Sequence, residues 1–278
     1  MCLFEIIQCH RSKNDGVPYS FSVQDRAMPI QDKRVVIIIQ ARMTSERLPG
    51  KVMLPLNGRS ILQYQLERLD DCENVDAIGV ATVDDPTCAP IIELCDQLNI
   101  HVTGGSEDNV LSRYVKCGAE MKADVVVRIT SDCPLIDPAL VDMTIEEFFA
   151  SCSDYCAMDI PTSYSRGLDC EVVHFSSLIH ANEVSVDPQE KEHVMPYIHR
   201  RPDEYKVRYI KGDKKYGGDR YCVDTPEDFE VVTKIADAFK DHDAFGFQDI
   251  WKFLRANPDV AALNQHIEQK KLAEKLIR

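Results

Sequence analysis

Val35-Val36-Ile37-Ile38-Ile39, followed at once by Gln40-Ala41-Arg42-Met43-Thr44-Ser45-Glu46-Arg47-Leu48-Pro49-Gly50-Lys51, is the stretch from which the fold of this 278-residue chain is read. An unbroken β-branched run has no polar face. It predicts a strand covered on both sides, as in a parallel sheet. The polar, Gly/Pro-containing segment after it runs to Asn57-Gly58 and predicts a loop. Ser60 then opens a helix. Ser60 and Gln63 have capping-box spacing, and Leu62, Leu66 and Leu69 share one face.

The same alternation extends outward. Residues 75–82 predict a strand, 87–98 and 109–121 helices, and 124–130 a third buried strand, with a helix after Asp137-Pro138. Val110, Tyr114 and Met121 fall near one helical face. Strand–helix alternation predicts an α/β fold with a doubly wound, mostly parallel sheet. From 152 to 210 the pattern is less regular, with short strands in Cys170–Phe175 and Lys206–Ile210 and helices over 176–184 and 189–200; a subdomain or insertion is expected. Tyr221-Cys222-Val223-Asp224 predicts a strand end. Thr225-Pro226-Glu227-Asp228 opens a helix, with Thr225 as N-cap and Pro226 at the first helical position. The expected organisation is a mobile extension over 1–33, a main domain over 34–245 and a helical tail over 246–278, broken near Asn257-Pro258. A native start at Met28 is a sharper expectation for the extension.

Composition narrows the function. Apolar residues at 44% and charged residues at 28% suit a globular enzyme. A net charge of −14 excludes a general nucleic-acid binder, because the phosphate backbone needs a basic footprint. A single nucleotide could still bind where cations concentrate locally. The 11 cysteines are scattered, Cys95, Cys117 and Cys222 in apparent core segments; Cys152 and Cys156 are close in sequence, but no second pair matches zinc spacing. The opening MCLFEIIQCHRSKND lacks a basic n-region and no stretch approaches a membrane span. Reduced thiols and a cytoplasmic location are expected.

Arg42, Arg47 and Lys51 crowd one short loop beyond the first strand, where ligands bind in open parallel sheets. Arg supplies forked donors to phosphate oxygens and Lys a mobile charge. Gly50 permits close backbone approach. The loop is not a P-loop, since Ser45 holds the first glycine position and Val52 follows Lys51, and no Gly-x-Gly-x-x-Gly follows this strand. A solvated basic loop is the plainer alternative. Asp132 and Asp224 each follow an expected strand, so both can reach one sheet edge and hold Mg²⁺ through oxygen. Alternatively Asp132 is a turn residue and Asp224 supports a helix N-terminus.

These segments together resemble the cytidylyltransferases that activate acidic sugars, the acylneuraminate (CMP-sialic acid) and CMP-ketodeoxyoctonate synthetases, and within them the branch of spore coat polysaccharide biosynthesis protein F. The resemblance runs from about Val35 to Phe239. It rests on Gln40–Lys51 with Leu54-Pro55-Leu56-Asn57-Gly58, on Ala81-Thr82 with Asp84-Asp85-Pro86, and on Gly105–Leu111. It continues through Arg128–Asp137, Gly167-Leu168-Asp169-Cys170-Glu171, Glu192-His193-Val194 and Val223–Asp228. It implies a nucleotide-diphospho-sugar transferase type fold with a small dimerisation extension at 152–210, and a homodimer. It implies CTP and an acidic sugar as substrates, with paired metal aspartates at Asp132 and Asp224. Gln40, Ala41, Arg42, Arg47, Lys51, Thr82 and Arg128 are then nucleotide-binding, with Arg42, Lys51 and Asp132 catalytic. Asp169, Glu171 and His193 are candidate sugar contacts. Arg128 as a salt-bridged strand end, and Asp169 and Glu171 as structural residues or a second metal site, stay open. The family commonly has Gly-Asp-Glu-Pro where this chain has Ser131-Asp132-Cys133-Pro134, so one carboxylate is missing. Two other readings are a metal-dependent glycosyltransferase, which usually shows Asp-x-Asp, and a non-catalytic nucleotide-binding protein.

Overall fold

The computed structural model describes residues 32–242 and 244–268. Most of the expected extension, the Met28 start and the end of the helical tail lie outside them.

The β-branched run forms β1 (Val35–Gln40). A hairpin, β2 (Pro55–Leu56) and β3 (Arg59–Ser60), leads into α1 (Ile61–Leu69). There follow β4 (Ala77–Ala81), α2 (Ala89–Leu98), β5 (His101–Thr103), α3 (Val110–Glu120), β6 (Val125–Thr130) and α4 (Pro138–Ala150). The less regular stretch holds β7 (Tyr155–Met158), β8 (Glu171–His174), α5 (Phe175–Val184), α6 (Pro188–His193), α7 (Pro196–His199) and β9 (Val207–Ile210). Helices α8 (Pro226–Ala238), α9 (Phe247–Ala256) and α10 (Pro258–Ala262) close the described chain.

Seven strands form one sheet in the order β5-β4-β1-β6-β8-β7-β9. From β5 to β6 the neighbours are parallel. β8 runs antiparallel to both β6 and β7, and β9 pairs parallel with β7. The sheet is therefore mixed but mostly parallel, and residues 152–210 continue it with three strands.

Alternate residues of β1 feed opposite cores. Val35, Ile37 and Ile39 pack with Val125, Val127 and Ile129 under α1, α2 and α4. Val36 and Ile38 pack with Val126 beneath α3, α5 and α7. Ile37, Ile38 and Ile39 are fully buried, each worth about 1.5–3 kcal/mol of transfer free energy. A third core joins α8, α9 and α10 to Leu56, Leu135, Tyr221 and Val223.

Three local expectations change. Tyr221–Asp224 forms no strand. The residue before it, Arg220, makes an isolated bridge to Arg166, and Gly167 (φ 97°) lies so close that a Cβ there would come within 2.6 Å of the Tyr221 carbonyl carbon. The 189–200 helix is split at the fully buried Val194, whose φ of 70° ends the first piece, and Pro196 opens the second at its first position. Ser60 caps α1 by accepting from the Gln63 amide, but the Gln63 side chain donates to Glu67 instead of completing the box. The nine described cysteines are all free and eight are buried.

Since β1 has β4 on one side and β6 on the other, winding reverses at β1. The crevice at the carboxyl ends of β1 and β6 is where such a sheet takes a ligand.

Candidate active site

The loop after β1 folds back on itself. The amides of Ser45 and Gly50 both donate to the Met43 carbonyl, at 3.0 and 2.9 Å. Gly50 has φ 68°, a left-handed conformation that a side chain would strain. This turn delivers Lys51, at the start of a 3-10 turn, into the crevice.

There the Lys51 ammonium donates to Asp132 Oδ2 (3.1 Å), the Val223 carbonyl (2.7 Å) and Asp224 Oδ1 (2.8 Å). Its three donors thus meet three acceptors from two remote segments. Lys51 is 11% exposed and Asp224 13%. Burial alone would lower the lysine's pKa, but the two carboxylates outweigh it and raise it. Burial likewise opposes ionisation of Asp224, yet Lys51, Arg47 and Arg220 hold its carboxyl below the ordinary carboxylate value. Arg47 reaches Asp224 Oδ2 at 2.9 Å and Arg220 reaches it at 2.6 Å.

Asp224 is not what supports the helix behind it. Asp228, fully buried, accepts from the amides of Asp224 and Thr225 and completes the capping box with Thr225. Arg220 and Asn264 bind its other oxygen. Asp132 reaches the same point because Val223 donates its amide to the Asp132 carbonyl (2.7 Å). Two carboxylates that converge on one point, here held by the Lys51 ammonium, are oxygen donors of the kind Mg²⁺ takes. No group of three or more metal-binding side chains occurs among the described residues.

A cleft of about 750 Å³ opens beside this cluster. Of the residues singled out above, Gln40, Ala41, Arg42, Arg47, Lys51, Asp132, His193 and Asp224 line it, whereas Thr82, Arg128, Asp169 and Glu171 do not. Arg42 is exposed and pairs with Glu107 at 3.3 Å. Thr82 is buried at the end of β4, its hydroxyl without a hydrogen-bond partner. Arg128 forms an ion pair with Glu171, opposite it on β8, and its other nitrogens meet the Gln40 side chain. Asp169 accepts from the Gly167 amide, and burial raises its carboxyl pKa. Burial lowers the pKa of His193. A larger cavity, about 950 Å³, lies between α1, α4 and the segment after α8, away from all of these residues.

Arg113 was missed. It lines the cleft from α3, is only 2% exposed, and leaves Nε and Nη1 buried without partners. Burial depresses its pKa. Its chain lies against Gly105, where a Cβ would come within 2.9 Å. The available signal was a cation three residues after Val110 and next to Tyr114, on the apolar face of α3.

Residues 36–271 match the cytidylyltransferase family model. An uncharacterized protein of Methanocaldococcus jannaschii is 35% identical over 243 residues, covering 87% of this chain and 98% of its own. Spore coat polysaccharide biosynthesis protein SpsF of Bacillus subtilis is 32% identical over 234 residues, covering 82% and 96%. Among solved structures, a cytidylyltransferase from Leptospira borgpetersenii is 28% identical with a TM-score of 0.78, covering 85% of this chain and all of its own.

Proposed function

Starting from the fact that this chain belongs to the cytidylyltransferase family, we propose that it transfers CMP from CTP to an acidic sugar and releases pyrophosphate, in the synthesis of a surface polysaccharide. The observation that carries this reading is the convergence of Lys51 on Asp132 and Asp224 at the edge of a cleft also lined by Arg42 and Arg47. A triphosphate needs concentrated positive charge, and an acidic protein supplies it here.

A sugar oxygen attacks the α-phosphorus in line and pyrophosphate departs. Arg42 and Arg47 offer forked donors to the phosphate oxygens, and Lys51 offers a charge that can pass from the carboxylates to the leaving group. Asp132 and Asp224 would hold Mg²⁺, which supplies neutralisation of charge on the phosphates. No nucleophilic side chain is required, so catalysis is positioning and electrostatics. Ala41 is read as the base end of the cleft, with Thr82 buried behind it, and His193 with Glu192 as the sugar end. Arg113 is a further nucleotide contact, because two buried guanidinium nitrogens without partners are satisfied by an oxygen-rich ligand.

A cytoplasmic homodimer joined through residues 152–210 belongs to the same proposal. Val186 at 89% exposure and Tyr209 at 43% lie in that stretch, and light scattering reads the dimer directly. No helix among the described residues is long and apolar enough to cross a membrane.

Pyrophosphate release tests the reaction, with each of four nucleoside triphosphates set against sialic, legionaminic, pseudaminic and ketodeoxyoctonic acids. Release with CTP and at least one acid is expected. Release with none sinks the proposal.

A further inference from the structure

Gln40, the last residue of β1, has its side-chain oxygen enclosed by donors. Arg128 Nε and Nη2 lie 3.3 and 3.1 Å from Gln40 Oε1, and the Tyr114 hydroxyl lies 3.4 Å from it. A guanidinium has no acceptor, so the amide must turn its oxygen toward Arg128. The other end of Arg128, Nη1, is held by Glu171, and Glu171 Oε1 accepts from the Tyr155 hydroxyl at 2.5 Å. Tyr155, Glu171, Arg128 and Gln40 thus form a chain of side chains across β7, β8, β6 and β1, each fixing the next.

The consequence falls on the amide nitrogen. Gln40 Nε2 has no hydrogen-bond partner among the described residues, while Gln40 itself lines the cleft. Its side chain leaves β1 on the face of Val36 and Ile38, the face covered by α3. Helix α6 packs on α3 and brings Glu192 and His193 into the same cleft. Arg128 and Glu171 stand close enough to act on the His193 ring.

We infer that Arg128 is a positioning residue, which locks the Gln40 amide so that Nε2 donates to an oxygen of the acidic sugar, its carboxylate being the strongest acceptor there. Gln40 then contacts the sugar through its side chain, and Arg128 acts through Gln40 without touching the nucleotide. The inference rests on the sugar-acid reading above and adds to it the donor that recognises the acid.

The test uses the full chain with Mg²⁺ and CTP, with N-acetylneuraminate and 3-deoxy-manno-octulosonate as probes. Gln40→Glu keeps the acceptor facing Arg128 and removes the donor. Arg128→Lys keeps a cation beside Glu171 but cannot fork onto Gln40. Both variants are expected to raise KM for the sugar about tenfold or more, the scale of one hydrogen bond to a charged group, and to leave KM for CTP within about twofold. Gln40→Asn, shorter but still a donor, recovers part of the loss. Equal melting temperatures exclude misfolding. If Arg128→Lys melts early, Tyr155→Phe, which loosens the same chain from its far end, is read for the same split. An active wild type whose Gln40→Glu variant keeps the sugar KM, or raises the CTP KM instead, overturns the inference alone. A wild type that releases no pyrophosphate with any sugar acid overturns the functional reading and this inference with it.

Discussion

Two charged clusters stand at the carboxyl edge of the sheet. The Lys51 cluster gathers a loop, the turn after β6 and the segment before α8, elements with no strand register between them. The Arg128 cluster joins residues that the sheet itself puts side by side: Arg128 pairs with Glu171 in the β6–β8 ladder, and Gln40 pairs with Thr130 in β1–β6. A lysine is a compact charge on a flexible stem, so its three partners can be exchanged for phosphate oxygens. An arginine fork between strands holds one geometry. Under the proposed function the first cluster gives up its contacts and the second keeps them.

The sharpest way to break that contrast is to remove the brace behind the first cluster. Asp228→Ala takes one of two carboxylates from the buried Arg220 and removes the capping box, at an expected cost of about 2–4 kcal/mol in urea unfolding. A loss under about 1 kcal/mol would show that Asp224 needs no brace. Next comes Lys51→Ala. Turnover should fall about a hundredfold or more, the scale of one preorganised transition-state contact, as read by steady-state pyrophosphate release. Near-normal turnover would show that the first cluster keeps its contacts as the second does. Gly50→Ala strains the turn that delivers Lys51 and should destabilise by about 1–2 kcal/mol, measured by thermal melting. Smallest is Tyr155→Phe, which removes one hydrogen bond to Glu171. It should cost about 0.5–1.5 kcal/mol and leave the CTP KM in place.

Proton linkage offers a further test of the first cluster. The Asp224 carboxyl is held below its ordinary value, so its contribution is present above the unfolded value of about 3.9 and lost as pH falls through the lower folded one. Lys51 is raised, so its contribution is complete below the unfolded value of about 10.4 and lost as pH rises through the higher folded one. The stability difference between wild type and Lys51→Ala should therefore be flat from about pH 5 to 9. A slope near neutrality, seen in urea titrations at several pH values, would contradict this charge arrangement.

Much of the fold was legible because burial leaves a mark in local sequence. Val35–Ile39 has no polar face, and only a doubly covered strand needs that. Thr225-Pro226 announces its helix through cap chemistry. The break at Val194 was not legible, because a helical pattern runs through it and the positive φ is imposed by packing. In the site, Lys51, Asp132 and Asp224 were each singled out from their own segments, but the direct contact of Lys51 with both aspartates was not. Arg128 and Glu171 were candidate contacts, and the register pairs them with each other. Arg113 was passed over because an arginine on a helix reads as solvated until burial is known.

From its sequence alone this protein was determined to be a doubly wound α/β chain with a cationic turn after its first strand and acidic residues beyond two later segments, since periodicity, caps and residue chemistry are local properties. Which groups meet was decided only in three dimensions. Lys51 and Asp224 are 173 positions apart in sequence and 2.8 Å apart in space, and the orientation of the Gln40 amide depends on a guanidinium 88 positions along the chain. Distances of that kind follow from how the elements pack, and no single segment carries them.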